Sequence, residues 1–155
     1  MRSQPSGPSM TLSGAEAVER LVVDTSAYSH LRRWHAEVER MVTGAAAVLM
    51  PAIVIGELEA AFAAGTRRQA NLDLLEEFLG LPFVSVIPVT RSVAARYGDL
   101  IARLRMTGTP VPVNDVWIAA TTLDQDGDLL TFDRDFARVP GLRVVMLATD
   151  PAPAG

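Results

Sequence analysis

The chain contains no cysteine and no lysine. Without cysteine there is no disulfide, no thiol nucleophile and no zinc–thiolate site, and the composition suits a reducing compartment, so a cytoplasmic location is expected. Without lysine there is no Schiff-base chemistry, no Walker-type phosphate lysine and no phospho-receiver domain that needs one. All 14 residues counted as Lys or Arg are arginines. Long apolar runs are missing too. A membrane span needs about 18 apolar residues, and Pro51, Gly56, Pro82 and Pro88 interrupt the longest candidates. Met1 to Gly14 is rich in Ser, Pro and Gly and has no apolar stretch, so it is not a secretory signal. A positive balance is also lacking. The formal net charge is −4, which argues against a broadly basic body that coats nucleic acid without discrimination. Local basic rims stay open at Arg32-Arg33, Arg67-Arg68, Arg103 with Arg105, and Arg134, although the bland reading of any one of them is a solvated helix face.

What is present is a globular composition. With 155 residues, 49% of them apolar, the chain can bury one real core. Residues 1–18 are expected to form a disordered lead-in, with Met10 an alternative start. Residues 19–149 are expected to form a single domain, and residues 150–155 a tail.

Apolar runs and helix signals alternate along the chain. Strands are expected at 20–24, 47–50, 83–89, 129–131 and 143–147. A first helix, capped by Thr25 or Ser26, should run through Ala27, Leu31 and Trp34, and a second should cover 35–43 and stop at Gly44. Pro51 suits the first turn of a helix that ends at Gly65. Thr66 is the expected cap of the next, whose stripe is Leu72, Leu75, Phe78 and Leu79. Thr90 caps a long helix with Val93, Ala94, Tyr97, Leu100, Ile101 and Leu104 on one face. Asn114 is the expected cap of the last. Strands alternating with helices predict an α/β fold with a central parallel sheet covered on both faces. Trp34, Trp117 and the methionines are expected in the core, and His30 and His35 on a polar helical region with no chemical role.

The acids fall at element junctions. Leu21-Val22-Val23 runs into Asp24, and Leu129-Leu130-Thr131 runs into Asp133 and Asp135. Asp115 stands in the first turn of a helix. Glu57 falls at the edge of the stripe formed by Val54, Leu58, Ala61 and Phe62, with Glu59 further round towards solvent. Each has a bland reading: Asp24 as a helix cap, Asp115 as a carboxylate that favours the helix dipole. Together they point elsewhere. Open parallel sheets build their sites at the carboxyl ends of the strands. Carboxylates gathered there repel one another unless a hard divalent cation lies between them. The expected cofactor is Mg²⁺, with Mn²⁺ an alternative, and the chemistry that suits it is phosphodiester hydrolysis. On this reading Asp24 and Asp115 hold the principal ion and Glu57 binds through water or orients the attacking water. Asp133 or Asp135 completes the shell, with Asp133 nearer the strand end. Asp133 and Asp135, two apart, are expected to point in different directions, one binding metal and the other orienting it or contacting Arg134.

Four segments resemble the motifs of PIN-domain nucleases, best the small bacterial VapC toxins of toxin–antitoxin pairs. They are Val22-Val23-Asp24-Thr25-Ser26-Ala27, Ile55-Gly56-Glu57-Leu58, Asn114-Asp115-Val116-Trp117-Ile118-Ala119-Ala120 and Thr131-Phe132-Asp133-Arg134-Asp135-Phe136, within residues 20 to 147. The resemblance implies a three-layer fold and a Mg²⁺-dependent endoribonuclease whose core acids match Asp24, Glu57 and Asp115, with Asp133 or Asp135 from the last motif. Thr25, Asn114 and Thr131 match supporting positions. It also implies an RNA substrate, a cognate antitoxin and a homodimer or toxin–antitoxin hetero-oligomer, with no membrane partner.

Three other readings compete. A metal-dependent phosphatase of small esters could use Asp24 as nucleophile, but Ser26 stands where that chemistry wants a second acid. A non-catalytic protein-binding module would leave the acids as caps. Asp124-Gln125-Asp126-Gly127-Asp128 opens like a calcium loop, yet Leu129 stands at the position that needs glycine, so a turn is expected.

Overall fold

The structure, a computed structural model, describes residues 17–149. Most of the expected lead-in, up to residue 16, and the tail at 150–155 lie outside the described residues. The order is β1 (Arg20–Val23), α1 (Thr25–Arg32), α2 (Ala36–Gly44), β2 (Ala47–Pro51), α3 (Ala52–Ala64), α4 (Arg68–Leu79), β3 (Val84–Ile87), α5 (Arg91–Met106), α6 (Val113–Asp124), β4 (Asp128–Thr131), a 3-10 turn (Arg134–Arg138) and β5 (Val144–Met146). The strands form one sheet in the order β3-β2-β1-β4-β5, and every pair is parallel.

Side chains alternate between the faces of a strand. Leu21, Val22 and Val23 are successive and all fully buried, as are Leu129 and Leu130. Both faces are therefore covered, which makes a three-layer α/β fold. The main apolar cluster surrounds the sheet, and a second joins α5 and α6 through Val93, Leu100, Leu104, Val116 and Val139. Tyr97 stacks on Trp117 between these helices, with ring centroids 3.8 Å apart.

Chain order decides where a site can form. From β1 the chain moves outward through β2 and β3, then returns to place β4 on the other side of β1. This reversal makes β1 and β4 neighbours and opens a crevice at their carboxyl ends.

Several local expectations are corrected. Strands β1, β3 and β5 are shorter than read, because Asp24 leaves the ladder to cap α1 and Pro88 ends β3. The cap of α1 is Asp24 itself, whose carboxylate accepts from Ala27 N, so neither Thr25 nor Ser26 fills that role. Thr66 caps nothing: α4 starts after Arg67 without a side-chain cap. Asn114 lies inside the first turn of α6, which begins after Pro112. Pro112 fixes the entry angle, so no asparagine cap is needed.

Helix α1 stops at Arg32, short of Trp34. His35 N donates to His30 O and Trp34 N to Leu31 O, the paired bonds of a Schellman end. Trp34 takes the left-handed position, φ 62°, and is 81% exposed, not core. Met106 is exposed as well, whereas Met41 and Met50 are buried. His35 is buried, accepting from Val38 N as the cap of α2. His30 stacks flat on Phe132, centroids 3.8 Å apart. Ala61, expected on the α3 stripe, is exposed. In the 124–128 segment Asp126 and Asp128 both pair with Arg143 at 2.9 Å, and Asp124 contacts Ser92 and Arg96. Those acids are spent on cations and a hydroxyl, so they are not assembled as a calcium loop.

Candidate metal centre

Asp24 leaves β1 at the crevice and is 3% exposed. Its Oδ1 accepts from Ala27 N at 2.8 Å and from Ser26 Oγ at 2.7 Å, and its Oδ2 accepts from Thr131 Oγ1. Burial raises its pKa above the ordinary carboxylate value. Hydrogen bonds from Thr131, Ala27 and Ser26 oppose that rise, and the charge of Asp133 adds to it.

The two hydroxyls that hold Asp24 also hold the end of β4. Ser26 Oγ accepts from Phe132 N at 3.0 Å, and Thr131 Oγ1 accepts from Asp133 N at 2.9 Å. Ser26 and Thr131 thus tie the carboxyl ends of the two central strands together. Sequence reasoning gave Thr131 a supporting place and missed Ser26. The available signal was a hydroxyl two residues behind a strand-ending acid.

After Phe132 the chain curls into the 3-10 turn. Asp133 caps it, accepting from Asp135 N at 2.9 Å. Because the backbone turns here, Asp133 and Asp135 do not point apart as strand alternation would require. Each offers an oxygen, and so does Asp115, with all three atoms within 4.8 Å of one another. Asp135 pairs with Arg138 at 3.4 Å, not with Arg134. The three-residue repeat of a 3-10 helix brings 135 and 138 together, a spacing that could have been read in advance.

Asp115 is half-buried in the first turn of α6. No hydrogen-bond donor or cation contacts its carboxylate among the described residues. Its pKa is pushed up to about 7, first by burial and then by the charges of Asp133, Glu57, Asp135 and Asp24. The charges of the other four acids singled out in the sequence therefore all act on Asp115, from β1, α3 and the segment after β4. Glu57 is half-buried on α3, while Glu59 is exposed. Thr25 Oγ1 donates to Glu57 Oε1 at 2.7 Å and fixes that side chain. Asn114 is exposed, with no hydrogen bond to the cluster.

The donor set fits a hard divalent cation. Every group is a carboxylate oxygen, with no histidine nitrogen or sulfur among them. Among the described residues only Asp135 of these acids has an arginine partner, so the cluster is short of positive charge. Among the described residues Asp115, Asp133 and Asp135 are within reach of a single ion, and the charges of Glu57 and Asp24 act on Asp115.

The sequence profile of the PIN domain matches residues 21–142. The chain is 27% identical over 134 residues to Ribonuclease VapC4 of Mycobacterium tuberculosis, covering 84% of this chain and 98% of that protein. Among solved structures, the fold resembles a VapBC-5 toxin–antitoxin family member from M. tuberculosis with a TM-score of 0.64 and 25% identity, covering 84% of this chain and 98% of that one. It also resembles a DNA-bound VapBC from Salmonella typhimurium, with a TM-score of 0.73, 23% identity, and coverage of 83% and 98%.

Proposed function

The chain belongs to the PIN domain family, and on that premise we propose that it is a Mg²⁺-dependent endoribonuclease, a hydrolase acting as the toxin of a bacterial toxin–antitoxin pair. The observation that carries this reading is that Asp115, Asp133 and Asp135 lie within reach of one ion, while the charges of Asp24 and Glu57 also act on Asp115. Similarity along nearly the full length of a ribonuclease supports the substrate class.

Asp115, Asp133 and Asp135 would hold the ion directly. When bound, Mg²⁺ or Mn²⁺ supplies an activated water and neutralises charge on a phosphoryl oxygen. The chain's own groups do the positioning. Ser26 and Thr131 clamp Asp24, and Asp24 in turn keeps the crevice negative. Thr25 holds one oxygen of Glu57, leaving the other to orient an attacking water and accept its proton. Arg138 restrains Asp135. No covalent protein nucleophile is required, which suits a chain without cysteine.

The partners on this reading are RNA, a cognate antitoxin, and a second copy or a toxin–antitoxin hetero-oligomer. Among the described residues no helix is long and apolar enough to cross a membrane, and the cysteine-free composition suits a cytoplasmic setting.

The test is incubation of purified protein with total RNA, with Mg²⁺ or with chelator. Wild type should fragment RNA only with the metal. Asp115→Asn and Asp133→Asn should each lower the rate by at least about a hundredfold. Intact RNA under Mg²⁺ and Mn²⁺ alike, or variants that cut at the wild-type rate, would overturn the reading.

A further inference from the structure

An open groove of about 620 Å³ is lined in part by residues that alternate along the chain with two acids of the cluster. Its lining includes Phe132 and Arg134, the residues on either side of Asp133, and then Met146, Leu147 and Thr149 at the carboxyl end of β5. The cluster and the groove therefore share one short stretch of backbone. Among the described residues β5 is an edge strand, paired only with β4.

Arg134 is the informative residue. It sits between two aspartates in sequence and pairs with neither. Asp135 takes Arg138, and Asp133 accepts from a backbone N–H. Among the described residues Arg134 makes no ion pair and no hydrogen bond, is exposed, and lines the groove. Arg138, four residues on, is held by Asp135, and Arg143, just before β5, by Asp126 and Asp128. A cation kept out of the nearest carboxylates is available for an anion from outside. Beside it lies an aromatic and thioether wall. His30 already covers one face of Phe132 and holds that ring in place.

A fixed aromatic wall next to an uncommitted guanidinium matches an unpaired nucleotide. The base packs on the apolar wall and the phosphate meets the arginine. We propose that this groove binds the single-stranded RNA nucleotide flanking the bond that is cut, and that Arg134 is its phosphate-binding and selectivity residue. The inference rests on the nuclease reading and deepens it. A polypeptide, such as the tail of an antitoxin, is the alternative occupant, with a carboxylate in place of the phosphate on Arg134.

The test uses the full chain with Mg²⁺. Cleavage of a labelled single-stranded RNA gives KM and kcat, and sequencing of cut ends in total RNA gives the site preference. Arg134→Ala should raise KM about tenfold, leave kcat within about twofold, and flatten the preference next to the cut. Arg134→Glu should go further in the same direction. Arg40→Ala, an equal loss of charge on α2, should change neither readout. Arg134 is exposed, so its removal should not disturb folding, and an unchanged melting curve checks this. A wild type that leaves RNA intact overturns the nuclease reading and this inference with it. A wild type that cuts, with Arg134→Glu matching its KM and cut sites, overturns the groove alone and leaves it to a polypeptide.

Discussion

At the scale of single residues, Asp115 has the environment that demands most. The charges of four other acids act on it, and its pKa is lifted to about 7 by burial and by those charges. The consequence for stability has a definite sign. Below about pH 4 the carboxyl is protonated in both folded and unfolded chains. As pH rises, the unfolded chain loses that proton first, so metal-free protein loses stability progressively up to about pH 7. A half-buried group is screened by water, so the loss is on the order of 1–2 kcal/mol. Asp115→Asn in chelator should therefore raise the unfolding free energy at pH 7.5 by about that amount and change little at pH 4. Urea melts at the two pH values decide it, and an equal effect at both would refute the charge argument. Trp34 makes a second case. A bulky residue in the left-handed region costs about 1 kcal/mol, and at 81% exposure its ring returns little of that by burial. Trp34→Gly should raise the melting temperature by a few degrees, and a lower one would show that the ring packs more than its exposure implies. The five acids themselves were legible in the sequence because each ends or begins an element. Trp34 was not, because its left-handed position at the end of α1 lacks the glycine or asparagine that usually marks such an end.

At the scale of elements, the ends of β1 and β4 decide the geometry. The apolar runs that form these strands could be read directly. Their adjacency could not, since the order of a parallel sheet depends on which way each crossover travels. The links from Ser26 and Thr131 across that junction were hidden for the same reason. Close approach at the opposite end of the strands gives a sharper test. A Cβ on Gly127 would lie 2.8 Å from Val22 Cγ2 and 3.1 Å from Arg20 O. Val22 is fully buried in β1, so neither neighbour can yield cheaply. Gly127→Ala should cost about 1–3 kcal/mol. Because Gly127 precedes β4, remote from the carboxyl ends, RNA cleavage per folded molecule at low temperature should be unchanged. A neutral melt would show that the turn has slack. A stable variant with lost cleavage would show that the two ends of the sheet are coupled.

At the scale of the whole molecule, an acidic chain of net charge −4 concentrates more negative charge at one sheet edge and keeps Arg134 uncommitted beside it. A bound divalent ion would reverse the local balance that raises Asp115. It should also stabilise the fold, by about 2.7 kcal/mol at a hundred times its dissociation constant. The α/β class and the parallel sheet were legible from alternating elements. The groove beside β5 was not, because it depends on the 3-10 turn that replaces a continuing strand after Thr131.

Calorimetric titration of Mg²⁺ into the protein at pH 7 is the most direct check that these distant carboxylates share one ion. The expected result is saturable binding with release of protons, lost in Asp115→Asn and equally in Asp133→Asn, and kept in Asp99→Asn, whose acid pairs with Arg103. Absence of saturable heat in the wild type, or retained binding in both Asp115→Asn and Asp133→Asn, would contradict it.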